Sequence, residues 1–423
     1  MNMNKKIVSF VFSLIFCFDF FALPVESNAA ELIDNVNAGM SNNAVHDVNT
    51  NILVEGRDVI YNYFSSINMK DEKTFLSLVG SEFKNFYENY FKDDRNIYGI
   101  KQIKDVSVEE IYDISVLDAE KYYVYGSDTG IMPGDVTYPY IVKTKCSVTE
   151  ENQYFCNGFN YMFMVLTKQN GKMIVSQTTR PSTYLMKKYI IDNEEVYGNL
   201  DGTQKKAVEA VLMCNRGLLV NSKCECLTNG VGIVNVNNNS SVKTTLTMSH
   251  YSTYTYPYYI RVKLNKTGND AIKSVKMSDY IKCTLPNEWM ASWPENSLIA
   301  GAYCVKMVGI YRAINPVNAA AGYDASQGTQ NYIPGRDNSI TNSIVDRLIN
   351  CGMADTSGCL FFPSYAKGTS GATGTRASGQ LKQYGSKKLA ENGYSYKQIL
   401  NYYYSGSSVS YGDVNLFGYN IGY

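Results

Sequence analysis

Histidine and tryptophan are nearly missing from this chain of 423 residues, which has two of each. His46 and His250 stand far apart and no tandem Cys-x-x-Cys pair accompanies them, so the donor set for a zinc site is poor. The same scarcity weakens any nucleophile–histidine triad, since the base has so few candidates. Charge of one sign is lacking too: 39 Lys and Arg balance 39 Asp and Glu. A neutral chain has no broad field to draw nucleic acid or an anionic membrane, so neither is expected as the main partner. Beyond the N-terminus no apolar run reaches the roughly 18 residues that a membrane helix needs. The stretch Gly368 to Gly379 lacks the Lys-Ser/Thr ending of a phosphate-binding loop and reads as a flexible loop. No internal repeat is visible, and no cofactor or metal is expected.

What is present begins with an export signal. Lys5 and Lys6 precede a run from Ile7 to Leu23 that is apolar apart from Ser9, Ser13 and Asp19. Pro24 breaks it, and Ser27-Asn28-Ala29 offers small side chains for cleavage after Ala29. The expected mature protein starts at Ala30, has no transmembrane anchor, and is secreted or wall-associated. Export permits disulfides. Cys146 with Cys156, and Cys351 with Cys359, each flank a short polar segment and could bridge it. Cys224-Glu225-Cys226 is too tight for an ordinary mutual bridge, so one of them could reach Cys214, while Cys283 and Cys304 bracket the tryptophans. Sequence alone leaves the connectivity open. Tyrosine is abundant at 36. Rings and amides suit a carbohydrate surface, and an AT-rich genome accounts for the same excess.

An α+β fold is expected. Residues 30–50 read as a loose segment. Val59, Ile60, Tyr63, Phe64 and Ile67 fall at helical spacing, Asp71 precedes a second helix, and Ser81 a third. From Gly99 the pattern changes to strands: Tyr122 to Tyr125, Tyr138 to Lys145, Phe155 to Lys168 and Met173 to Thr178, with Asn170-Gly171 as a hairpin turn. Helices followed by a meander of long strands resemble a cone-shaped nuclear transport factor two-like (SnoaL-like) domain over 51–180, a likeness of pattern without a specific motif. Such a domain implies binding or spacing. A linker over 181–254 carries a helix from Thr203 to Leu219 and a loop from Gly230 to Ser241. A second domain, 255–415, opens with a strand through Tyr258–Leu264, a turn at Lys266-Thr267-Gly268 and a returning strand from Ile272 to Tyr280. Gly379 to Asn392 reads as a helix stopped by Gly393. Ser395 and Gln398 form a capping box for the next.

The two tryptophans sit together, in Leu285-Pro286-Asn287-Glu288-Trp289 and Ser292-Trp293-Pro294-Glu295. Ser292 and Glu295 have capping-box spacing, and Pro294 suits a first helical turn. In the run Leu298 to Tyr311 the one charge is Lys306, so a buried helix is expected, with Ala300, Gly301, Ala302 and Gly309 allowing close approach. Glu288 would lie on a turn ahead of that helix, where burial beside rings raises a carboxyl pKa. The plainer reading is a carboxylate stabilised by the positive start of a helix.

These residues also carry a family resemblance. The strand Ile260–Leu264, the block Tyr280–Tyr311, the segment Asp324–Val345 and the tail Gly379–Ser408 resemble, in order, the stage II sporulation protein D / LytB amidase-enhancer domain. The tail reads Leu381-Lys382-Gln383-Tyr384-Gly385, where the family has M-S-Q-Y-G. The resemblance implies an α+β domain acting on peptidoglycan glycan strands in the cell wall, either as a lytic transglycosylase or as an enhancer of a wall amidase. It implies Glu288 as catalytic acid, and Trp289, Trp293, Lys306, Asp324, Gln327, Gln330, Tyr332, Gln383 and Tyr384 as groove residues. The loop after Gly368 would cover that groove. The chain departs from the family at Ala377, where many members have histidine, at Lys306, where arginine is common, and after Ile344.

Overall fold

The computed structural model describes residues 42–126, 128–225, 227, 257–264, 271–356, 358–406 and 415–418. The expected export signal, the expected loop over 230–241 and the expected turn over 266–268 lie outside the described residues. The chain divides into residues 1–54 and 55–423. Of the first, only the start of helix α1 (Asn42–Met69) is described, and that helix runs on into the second. Everything else described belongs to the second division.

The fold mixes helices and sheets, as composition and patterning lead one to expect. Helix α1 buries Val59, Ile60, Tyr63, Phe64 and Ile67, the face its spacing marks out. Asp71 caps α2 (Glu72–Leu78) by accepting from the Thr74 N–H at 3.0 Å, and α3 is Lys84–Lys92. Strands β1 (Ile103–Asp113), β2 (Thr137–Val148), β3 (Gly158–Gln169) and β4 (Lys172–Thr179) make a four-stranded antiparallel meander. Asn170 and Gly171 have φ of 51° and 79°, the left-handed pair that a two-residue hairpin turn requires. Tyr122 to Tyr125 is not a strand. Its backbone ends a short helical turn and crosses the sheet, where the Val124 N–H donates to the Gln177 side chain and the Tyr123 ring stacks on Phe163. Helix α4 (Gly202–Asn215) opens on a capping box between Asp201 and Gln204. It stops four residues short of the expected Leu219 and packs Ala207, Val208 and Val211 against Phe163 and Val165 of β3.

The C-terminal half starts with β5 (Tyr259–Leu264), paired antiparallel with β6 (Ala271–Lys276). The returning strand ends at Lys276, and Tyr280 lies in helix α5 (Met277–Glu288). Met277, Tyr280, Ile281, Cys283, Thr284 and Leu285 are its buried residues, and Met277, Tyr280, Ile281, Thr284 and Leu285 among them fall at the helical spacing that overrides the strand expectation. Helix α6 (Glu295–Ile314) follows and is buried on nearly every side. It does not begin with a capping box: Pro294 is the N-cap and makes no side-chain bond, and Glu295 instead pairs with Arg347 at 2.6 Å. Its length and apolarity would suit a membrane span, but here it is the core about which the half is packed. Strand β7 (Ala325–Ser326) joins β5 in parallel. Then come α7 (Ser339–Arg347), β8 (Cys351–Ala354), and the paired short strands β9 (Tyr365–Ala366) and β10 (Leu381–Lys382). Helix α8 (Gln383–Glu391) starts four residues later than expected, after β10. Helix α9 (Tyr396–Tyr404) has the Ser395/Gln398 capping box.

All eight described cysteines are free thiols. Cys146 contacts the Thr144 hydroxyl and Cys156 donates to the Asn152 carbonyl, so the bridge between them is not formed. Nor is one formed between Cys351 and Cys359; Cys351 lies against the Tyr303 hydroxyl.

The two halves meet through buried polar groups. Tyr154 donates to Asp324 at 2.7 Å, Ser326 to Asp128 at 2.5 Å, and Arg261 to Asn96 at 2.9 Å while its guanidinium lies 3.8 Å from the centre of the Tyr98 ring. At Gly99 a Cβ would stand 2.2 Å from the Ala320 carbonyl, so the backbones touch here only because that residue is glycine.

Candidate functional site

Helix α5 ends at Glu288, and the side chain that leaves it is half-buried. Trp289 turns inward. It is fully buried, and a Cβ on Gly301 of α6 would meet its ring at 2.4 Å, so the glycine makes room for the indole. The indole N–H donates to Ser386 at 3.1 Å, and Ser297 shares that hydroxyl at 2.7 Å. This chain bolts α5, α6 and α8 together directly behind Glu288.

Both carboxylate oxygens of Glu288 are engaged. Oε1 accepts from the backbone N–H of Asn331 at 3.0 Å, and Oε2 accepts from Nε2 of Gln383 at 2.9 Å. Next to them, Tyr280 donates to Oε1 of Gln330 at 2.6 Å, and Nε2 of Gln330 donates to the Tyr365 hydroxyl at 3.0 Å. Burial first, and then the nearby Glu288 charge, push both phenols well above the ordinary tyrosine range, so they remain protonated. Tyr332 stacks on Tyr280 with ring centres 5.2 Å apart, and Gln327 donates to the Tyr332 carbonyl at 2.8 Å.

The fold therefore gathers Glu288, Gln330, Tyr332 and Gln383, with Gln327 supporting them. Trp293 and Tyr384 pair beside this cluster with ring centres 5.2 Å apart. Trp293 is only 7% exposed and Tyr384 is half-buried, so the tyrosine offers the more open ring. Trp289 is a wall and not a stacking surface, since it has no exposed face. Lys306 is placed apart: it is buried and donates to the carbonyls of Leu348 and Ile349, both at 2.5 Å, just past the end of α7. Asp324 belongs to the junction between the halves, held by Tyr154 and by the Arg261 N–H at 2.7 Å. Burial raises its carboxyl to about 7. The loop after Gly368 bonds to α9, through Tyr402 to the Gly374 carbonyl at 3.0 Å and from the Ala377 N–H to the Tyr402 carbonyl at 2.8 Å.

Sequence reasoning missed Asn331, Tyr280, Tyr365 and Ser386 as parts of this site. Asn331 acts through its backbone, which no residue type advertises. Ser386 directly follows the Gln383-Tyr384-Gly385 block and was open to suspicion. Nothing in the sequence tied Tyr365 to the tryptophans, although its ring lies 5.2 Å from that of Trp289.

As chemistry, the cluster offers one half-buried carboxylate with a fixed backbone N–H donor from Asn331 and one side-chain amide, Gln383, that can donate or, turned over, accept. No protein-family model matches the chain, and no curated protein matches it.

Proposed function

We propose that this is an exported cell-wall protein that acts on peptidoglycan glycan strands, as a lytic transglycosylase with Glu288 as general acid. The observation that carries the proposal is the 2.9 Å bond from Gln383 to Glu288. It joins two of the four blocks that carry the resemblance to stage II sporulation protein D and LytB, and these two residues are almost a hundred positions apart in sequence. The finer architecture belongs to the same proposal: a nuclear transport factor two-like domain over 51–180 and a sporulation-protein-D-like domain over 255–415, joined by a linker.

In this reaction Glu288 protonates the glycosidic oxygen as the bond to the anomeric carbon breaks. The 6-hydroxyl of the muramoyl residue attacks that carbon and returns its proton to Glu288, leaving an anhydro sugar. No water enters, so one carboxyl serves where hydrolysis commonly uses two. A half-turn of the Gln383 amide presents its carbonyl oxygen, an acceptor for the Glu288 proton. Tyr384 supplies a ring for a neighbouring sugar.

A second reading is a non-catalytic glycan-binding module, or an enhancer with a wall amidase as partner. What favours it is that both Glu288 oxygens already accept from N–H groups, and that Ala377 stands where many family members have histidine.

Wild type, Glu288→Gln and Tyr384→Ala separate the two. The assays are retention on purified strands and mass spectrometry of anhydromuramic ends. Glu288→Gln should cut product release on the order of 10²–10⁴-fold with retention unchanged. Tyr384→Ala should weaken retention. Wild type that holds strands and releases no anhydro product leaves the binding module as the reading.

A further inference from the structure

Segment 324–332 touches both halves of the molecule. At its start Asp324 accepts from the Tyr154 hydroxyl and from the Arg261 N–H, both at 2.7 Å. Ser326 then donates to Oδ2 of Asp128 at 2.5 Å, and the Tyr323 hydroxyl reaches Oδ1 at 3.4 Å. With its proton directed at Asp128, the Ser326 oxygen is free to accept, and it takes the N–H groups of Gly328 at 3.0 Å and Thr329 at 3.1 Å. The Thr329 hydroxyl closes the turn by accepting from the Ser326 N–H at 2.9 Å. The Gln330 N–H returns to the Ser326 carbonyl at 3.2 Å. This turn delivers the next two residues: the Gln330 side chain between Tyr280 and Tyr365, and the Asn331 N–H onto Glu288 at 3.0 Å. Asp128, Ser326 and Asp324 are all buried, so each of these bonds is shielded from water.

We propose that Asp128 and Tyr154, from the N-terminal half, are positioning residues for Glu288: Asp128 holds Ser326 within the turn 326–329 and Tyr154 holds Asp324 just ahead of it, and that turn presents the Asn331 N–H to the carboxylate. The N-terminal half is then part of the apparatus that sets the reacting group, and not a spacer beside it. The inference rests on the reading of Glu288 as that group, and its test has a readout that does not.

Asp128→Ala, Asp128→Asn and Tyr154→Phe are made in the full chain. Hydrogen exchange by mass spectrometry follows the peptide covering 325–332, and anhydro-product release and strand retention are measured beside it. Asp128→Ala removes the acceptor for Ser326 and should speed exchange in that peptide about tenfold or more. Asp128→Asn keeps a carbonyl acceptor and should exchange near the wild-type rate. Turnover should fall on the order of 10–100-fold in Asp128→Ala with retention unchanged, because misplacing a reacting group slows the chemical step. Tyr154→Phe removes one hydroxyl from an otherwise unchanged ring and should shift both readouts the same way by less. It keeps the test intact if Asp128→Ala does not fold. Unchanged exchange in both Asp128→Ala and Tyr154→Phe overturns the proposal, as does a loss of retention equal to the loss of turnover. If wild type yields no anhydro product, the enzyme reading fails by that result, while exchange still decides whether Asp128 and Tyr154 hold Asn331 in place.

Discussion

Lys306 shows how far a residue's role depends on where its side chain ends. By resemblance it belongs in a sugar groove. In the structure it serves backbone carbonyls just past the end of α7, and burial lowers its pKa to about 7. In the unfolded chain a lysine titrates near 10.4, so the folded value is depressed. A depressed folded pKa means that the unfolded state binds more protons over the interval between the two values, and stability rises with pH there. The contribution is therefore present above about 10 and lost as pH falls through about 7. Lys306→Met should remove this slope. Urea midpoints for wild type and variant at about pH 6, 8 and 9.5 give the check: the difference between the two proteins should move in favour of wild type as pH rises. A difference that stays flat would contradict the buried placement of the amine.

At the scale of elements, α6 is held by close approach. Alanine is favoured over glycine inside a helix by about 1 kcal/mol. At Gly301 that gain meets an opposing cost, because the added methyl would sit 2.4 Å from the Trp289 ring. Overpacking of a filled core costs about 1–3 kcal/mol, and the indole cannot retreat without breaking its bond to Ser386. The steric cost should win, and Gly301→Ala should lower stability by about 1–2 kcal/mol. Gly202, at the start of α4, has open space around it and serves as the control: Gly202→Ala should be neutral or stabilising. Denaturant midpoints for the two variants decide the matter, and equal behaviour would remove Trp289 as the reason for glycine at 301. The same comparison shows what was legible at this scale. Small residues in an apolar run announced a close approach, and Trp289 and Tyr280 are what approach, Tyr280 lying over Gly309. The capping box at Ser292 and Glu295 had the right spacing and did not form, since Pro294 took the N-cap and Glu295 found Arg347.

For the whole molecule, the junction should respond to pH through Asp324. Burial raises this carboxyl to about 7, against the bonds from Arg261 and Tyr154 that lower it. An unfolded aspartate titrates near 3.9. Between those values the folded state binds the extra proton, so stability falls as pH rises. The contribution is fully present below about pH 4 and is lost as pH rises through about 7. Asp324→Asn cannot titrate. It should be less stable overall, because its amide cannot accept from both Tyr154 and the Arg261 N–H, yet the gap to wild type should narrow as pH rises from about 4 to 7. Thermal midpoints across that range test it. A difference between wild type and Asp324→Asn that does not move against wild type as pH rises over the interval would show Asp324 to be an ordinary ionised carboxylate.

Local elements whose signals are periodic or conformational can be read from the order of residues alone. The face of α1, the cap at Asp71, the Asn170-Gly171 hairpin, the Ser395/Gln398 box and a buried α6 all follow from spacing and backbone preference, which act over a few residues. The order of residues also marked Glu288 and Gln383 as candidates. Tertiary structure alone decided that these two touch, that Trp289 is wall and not platform, that Lys306 faces carbonyls, and that Asp128 reaches Ser326 across the junction. The reason is range. Helix and turn propensities are properties of neighbours in the chain, whereas hydrogen bonds between residues 42 to 198 positions apart depend on how the elements pack, and no local pattern encodes that.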